Sequence, residues 1–332
     1  MAMKTKAKFL SVKETTISFV EFVRKFSTEH KALVYLEKLR WKTGAICPHC
    51  GEKKTYKCNR KNEYGYHECS KCHKVFTVRT GTIFERSHIP LTKWLYACYK
   101  VITARKGISS VQLAVEIGVT QKSAWFMLQR IRQSYSGNAL NLEKLQEIVE
   151  VDGAYFGGSE KCKHASKKLN MGRGCIGKLC VLGMKQRKGK VKAVVIHKTD
   201  KDSVHKVLKE HIEQEATVMT DEASVYENID FKEHGVVTHS LSEYVKGEFS
   251  TNEIESVWAI LKRGWKGIYH HMSPKHLQLY VNEFCFRLND GKCDRHLDDR
   301  IKSLCGFAFD TSHLTYKQLL AREGSNSLMR AA

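Results

Sequence analysis

Cys47, Pro48, His49, Cys50 and Cys69, Ser70, Lys71, Cys72 form two CxxC pairs separated by 18 residues, the spacing expected of a four-thiolate zinc site. Each pair fits a tight turn that points both sulfurs at one ion, and the interval between them accommodates a strand-turn-strand excursion. A ribbon this small has little core of its own. Zinc held by Cys47, Cys50, Cys69 and Cys72 is therefore expected to contribute folding free energy on the order of 10 kcal/mol. Its role is structural, because four thiolates leave no open coordination position. His49, Cys58, His67 and His73 are substitute ligands in principle, but each breaks the paired symmetry and is expected to be solvent-facing or packed.

Three carboxylates suggest a second chemistry. Asp152 is read as closing an apolar strand over 148–151 and Asp221 as closing one over 218–220. Strand ends are where an α/β domain places its site. Glu255 lies on a helix beginning near Asn252, with Val257, Trp258, Ile260 and Leu261 as its buried face. Phosphodiester chemistry uses such a set to hold two Mg²⁺ ions about 4 Å apart, one at the attacking hydroxyl and one at the leaving oxygen. The competing reading makes these residues caps and surface charges. Lys262, two helical turns after Glu255 and about 10 Å along the axis, shares its face and is placed to hold a DNA phosphate. Glu253 points about 200° around the helix from Glu255, so the two cannot both serve one site.

These residues must be carried by recognisable elements. Ala32, Leu33, Leu36 and Leu39 recur at helical spacing between Thr28 and Trp41, with Ser27 or Thr28 as cap. Short Tyr/Phe/Val-rich segments from Thr55 to Val78 predict small β-ribbons. Helical character returns over 91–133, where Ala114 and Gly118 mark the close crossing and turn of a helix-turn-helix. Its second helix, from about Gln121, is expected to present Gln121, Lys122, Arg130 and Arg132 outward to a DNA groove. A plain αα-hairpin is the alternative. From Glu147 strands and helices alternate, predicting an α/β domain whose second and third strands form a hairpin turned at Lys188 and Gly189.

The 56 Lys and Arg of the 332-residue chain exceed its 35 Asp and Glu, leaving a formal charge of +21. Such a balance favours a polyanionic partner, nucleic acid first. The positive charge runs along the whole chain and is not gathered into one amphipathic helix beside an apolar anchor, which argues against a membrane-surface protein. No stretch approaches the roughly 20 apolar residues of a membrane span. The expectation is a soluble, cytoplasmic protein whose clustered cysteines bind metal and whose scattered ones are buried thiols.

With these parts in order, the chain resembles insertion-sequence transposases of the zinc-ribbon plus DDE type, the ISXO-like group. The resemblance covers residues 35–289. It is carried by RWKTGAICPHCG at 40–51, FTVRTGTIFERSHIPLTKW at 76–94, VDGAYFGG at 151–158, TDEASVY at 220–226 and NEIESVWAILKRGWKGIYHHMSPKHLQLYVNEFCFR at 252–287. It implies an RNase H-like catalytic domain in which Asp152, Asp221 and Glu255 match the acidic triad and Lys262 the lysine that often follows it. Where such sequences often have His before the Asn of the last motif, this chain has Ser250 and Thr251; His270, His271 and His276 remain as residues that could face DNA.

The expected division is an N-terminal helical segment (1–45), the zinc ribbon (46–85), a helix-turn-helix region (86–140), the catalytic domain (145–290) and a C-terminal tail (291–332). The implied function is metal-dependent cleavage and strand transfer, with structural Zn²⁺ and catalytic Mg²⁺ or Mn²⁺. Double-stranded DNA, as element ends and target, is the expected partner, bound by a nucleoid-associated homo-oligomer. Two rivals stand beside it: a DNA-binding regulator with an inactive or ligand-binding α/β domain, and a domesticated nuclease or recombinase.

Overall fold

Ser18 and Glu21 bond reciprocally across the first turn of α1 (Phe19–Lys25), a capping box that starts a helix the periodicity alone did not reveal. The computed structural model to which this helix belongs describes residues 17–60, 63–140, 143–158, 164–167, 177–237, 251–290, 296–312 and 314–321. The chain divides into two units: residues 1–105, 110–134 and 290–316 make one, and residues 106–109, 135–289 and 317–332 the other.

In the first unit, Thr28 caps α2 (Glu29–Arg40), which buries Ala32 and Leu36. The ribbon is a three-stranded antiparallel sheet of β1 (Thr55–Arg60), β2 (Glu63–Cys69) and β3 (Val75–Phe76). His67 is packed, not a metal ligand: its ring lies against Trp41 and Phe76, and its Nε2 is 3.1 Å from Glu37 Oε1. Helix α3 (Leu91–Thr103) follows, and α4 (Ser110–Ile117) turns through Gly118 into α5 (Gln121–Leu140).

Two expectations change here. Gln121 and Lys122 are exposed, but Arg130 and Arg132 are buried. Arg130 donates to the carbonyls of Ile83, Glu85 and Leu314, which are distant in sequence and need a donor. Burial pulls its guanidinium down to about 10. The segment expected as a tail contains α9 (Leu297–Asp310), a member of the first unit that buries Leu297, Ile301, Leu304, Cys305 and Ala308. Its Asp298 holds Lys25 and Tyr35 at 2.6 and 3.2 Å.

The second unit is mixed α/β. Its five-stranded sheet has the order β6-β5-β4-β7-β8, from β4 (Ile148–Phe156), β5 (Leu179–Gln186), β6 (Val191–Ile196), β7 (Thr217–Thr220) and β8 (Glu233–Val236). Strands β4, β5 and β6 are an antiparallel meander whose second turn lies at Lys188 and Gly189; β7 and β8 run parallel to β4. Alternation along β4 gives each face its own cover. Val149 and Val151 pack with Val204 and Leu208 of α6 (Lys201–His211). Ala154 and Phe156 pack with α7 (Asn252–Gly264) and α8 (Leu277–Asp290). The amides of α8 also close the β6 edge: Gln278 accepts from Val195 N–H and donates to Ala193 C=O, and Asn289 does the same at Val191. A short helix, α10 (Tyr316–Ala321), lies at the end of the described chain. No helix among the described residues is long and apolar enough to cross a membrane.

Candidate metal centre and acidic site

The two CxxC turns are built alike. Cys47 C=O accepts from Gly51 N–H and Cys69 C=O from His73 N–H, each closing a knuckle on a residue with positive φ. Gly51 takes that conformation freely, while His73 adopts it at a cost that the knuckle must offset. The four sulfurs converge to within 4.8 Å of one another, with Cys47 and Cys72 at 3.7 Å and Cys50 and Cys69 at 3.5 Å. Four ligands about 2.3 Å from one tetrahedral ion stand about 3.8 Å apart, so the cluster has the size for zinc. The Cys72 and Lys71 amides point at Cys69 Sγ and draw its thiol down to about 6, toward the thiolate a metal requires.

The acidic residues of the second unit also come together. Asp152 does not close its strand, because β4 continues to Phe156 through pairing with β5. What ends at its level is the parallel neighbour: Ile148, Val149 and Glu150 register with Thr217, Val218 and Met219. Two further places set Asp152 level with Asp221, immediately after β7. Glu255 enters from the first turn of α7, and Asp152, Asp221, Thr251 and Glu255 line one cavity of about 190 Å³.

Gly183, opposite Asp152 on β5, allows this approach. A Cβ there would collide with the Trp258 ring and lie 2.9 Å from Ile254 Cδ1. We expect Gly183→Ala to destabilise the fold by about 1–3 kcal/mol through overpacking, measurable as a lowered urea midpoint with unchanged slope.

Asp152 Oδ1 accepts from its neighbour's amide, Gly153 N–H, at 2.7 Å, and Asp221 Oδ1 from Ala223 N–H at 3.1 Å. Burial, then the negative charges of Asp221 and Glu255, hold the Asp152 carboxyl above its usual range; a cation would relieve that repulsion. The buried Trp258 indole N–H lies beside Asp152 and favours its charged form, although it completes no hydrogen bond of standard geometry. Tyr226 is pushed far up by burial and by the Asp221 and Asp152 charges. Thr220 Oγ1 lies 2.9 Å from His234 Nε2 and donates to the Asp221 carbonyl, bracing the end of β7.

The other expected residues scatter. Lys262 is exposed on α7 and is not part of the cavity lining. Glu253 turns away, toward the β5–β6 hairpin, where it accepts from Lys188 N–H and pairs with Lys185 at 3.3 Å. His270 and His271 are exposed, but His276 is buried and cannot face DNA. Ser250 lies outside the described residues, whereas Thr251 is buried in the cavity wall.

Residues 144–289 match the ISXO2-like transposase domain, and residues 27–75 match the transposase zinc-ribbon domain. A protein described as an uncharacterized protein in transposable element ISH50 of Halobacterium salinarum is 30% identical over 274 residues, spanning 80% of this chain and 92% of the relative. The chain belongs to the IS1595 family of transposases. In this transposase the ribbon match contains all four clustered cysteines and the domain match contains all three cavity carboxylates.

Around the transposase's acidic cavity, the sequence marks Trp258 only as core and Thr251 only as a departure in the last motif, and it assigns no role to Glu150, Gly183 or Tyr226. Of the last three, only Glu150 carries a signal. It shares the strand parity of Asp152 and is a charge inside the otherwise apolar run at 148–151.

Proposed function

We propose that this transposase binds the ends of its element through the zinc ribbon and the α4–α5 pair, read as a helix-turn-helix, and that it cleaves and joins DNA at the cavity of Asp152, Asp221 and Glu255. The observation that carries this reading is the convergence of three carboxylates, from the middle of β4, the end of β7 and the start of α7, on one cavity. The sheet order, an antiparallel meander extended by two parallel strands, supports assigning the domain to the RNase H-like fold.

The donor set fits a hard divalent cation: all three groups are carboxylate oxygens, suited to Mg²⁺ or Mn²⁺ and not to a soft ion. When bound, such ions supply Lewis-acid activation of the attacking oxygen and stabilisation of the leaving one. The chain's own part is to hold the carboxylates in place. The Gly153 and Ala223 amides orient Asp152 and Asp221, and close packing of Trp258 on Gly183 brings Glu255 to them. In the first step water attacks phosphorus and the P–O3′ bond breaks, leaving a 3′-hydroxyl and a 5′-phosphate. In the second, that 3′-oxygen attacks a target phosphorus while the target's own P–O3′ bond breaks, so bond number is conserved. Lys262 on the exposed face of α7 holds a DNA phosphate. The chain acts as a homo-oligomer on nucleoid DNA in the cytoplasm.

The test is incubation of the full-length, zinc-loaded protein with duplexes carrying the element's ends in Mg²⁺ or Mn²⁺. Nicks ending in 3′-hydroxyls and joined products are expected. Cleavage without joining would indicate a nuclease, and binding without cleavage a regulator. With a net charge of +21, end binding should weaken linearly in log K against log salt, with a slope of about −0.9 per phosphate neutralised. Affinity unchanged between low and high salt would contradict phosphate-led binding.

A further inference from the structure

The start of α7 is capped from outside the helix. Its N-cap residue, Thr251, makes no side-chain cap bond, yet the Glu253 and Ile254 amides are both satisfied. Glu150 Oε2 accepts from them at 2.8 and 3.0 Å. Glu150 lies on β4, two residues before Asp152 and on the same face, with no exposed surface. Its other oxygen faces Arg187 Nη2 at 3.4 Å.

A carboxylate at a helix N-terminus is favourable because it meets unpaired N–H groups and the positive end of the dipole. A surface Ser, Thr or Asp at the cap position would achieve the same without burying a charge. What a local cap cannot do is join the helix to the sheet. Glu150 joins the strand bearing Asp152 to the helix turn bearing Glu255, at the residue immediately before Glu255.

We propose that Glu150 is a positioning residue: its carboxylate fixes α7 against β4 and so fixes Glu255 relative to Asp152. This inference rests on the reading of Asp152, Asp221 and Glu255 as cation ligands. Glu150 touches neither cation nor DNA, and it acts by removing the freedom of α7 to slide or fray at its first turn.

The experiment uses the full zinc-loaded chain with Glu150→Ala, Glu150→Gln and Asp152→Ala. Mn²⁺ binding is measured without DNA by electron paramagnetic resonance, and amide exchange is followed at residues 252–256 and, as a reference, in α8. In Glu150→Ala, exchange at Glu253 and Ile254 should rise at least tenfold with α8 unchanged, and Mn²⁺ affinity should fall at least tenfold. Glu150→Gln keeps one acceptor and the side-chain shape, so it should recover part of both; if Glu150→Ala does not fold, Glu150→Gln carries the test against wild type. Cleavage by the Glu150 variants should recover partly as Mn²⁺ is raised, which a loss of folded protein would not produce. Mn²⁺ affinity within twofold of wild type in the folded Glu150 variants, with binding lost in Asp152→Ala, overturns the positioning role alone. Mn²⁺ binding retained in Asp152→Ala overturns the acidic-site reading itself.

Discussion

Asp152→Ala, Asp221→Ala and Glu255→Ala are each expected to lower DNA cleavage and strand transfer by at least 10³-fold, about 4 kcal/mol in the barrier, while leaving binding to the element's ends intact. The asymmetry follows from the division of labour. The carboxylates line one cavity, where the charges of Asp221 and Glu255 bear on Asp152, and are proposed to hold the cation, whereas grip on DNA is assigned to phosphate contacts made by basic residues elsewhere. Removing a negative charge that faces DNA should, if anything, tighten binding in the absence of metal. Glu253→Ala is the control: its side chain faces Lys185 and the Lys188 amide, so activity should stay within a few-fold of wild type. Cleavage and joining are assayed in Mg²⁺ and Mn²⁺ with binding measured in parallel. Full activity in Glu255→Ala with loss in Glu253→Ala would exchange the two glutamates, and activity in both aspartate variants would remove the enzymatic reading.

The second large effect concerns zinc. The purified protein should contain one zinc per chain, and Cys69→Ser or a strong chelator should release it. Structural zinc contributes on the order of 10 kcal/mol of folding free energy in small domains, and the strands of this ribbon are short, β3 being only two residues. Loss of zinc should therefore unfold the ribbon and weaken binding to the element's ends at least 100-fold. The five-stranded sheet has its own apolar layers on both faces and should keep its Mn²⁺ affinity. Elemental analysis, end-binding titration and Mn²⁺ titration decide this together. A folded protein that binds DNA without stoichiometric zinc would refute it.

The features legible in the sequence are those whose determinants lie close together along the chain. Each CxxC is a single turn, so its geometry follows from five consecutive residues. The hairpin at Lys188 and Gly189 and the Thr28 cap are equally local. The apolar run at 148–151 puts Asp152 at a strand end, but the strand continues past it because β5 offers partners as far as Leu179, and the strand that ends at its level is β7. Arg130 looked like a surface cation because its partners are carbonyls 45 to 184 positions away. The role of Glu150 is hidden for the same reason, since the amides it caps lie more than 100 residues downstream. Residues 297–308 carry helical spacing too, with Ile301, Leu304, Cys305 and Ala308 on the buried face of α9. Local pattern announces elements, whereas the pairing of a buried polar group is settled only when distant segments meet.

The side-chain amides that α8 lays along β6 stand where a further strand would pair. An open strand edge is an invitation to a second chain, and proteins that do not use it usually block it with charge, proline or a bulge. Here Asn289 answers the outward N–H and C=O of Val191, and Gln278 the C=O of Ala193 and the N–H of Val195, as a neighbouring strand would. That side of the sheet is already spoken for. A second copy could continue the sheet at β6 only by displacing these two side chains from the strand.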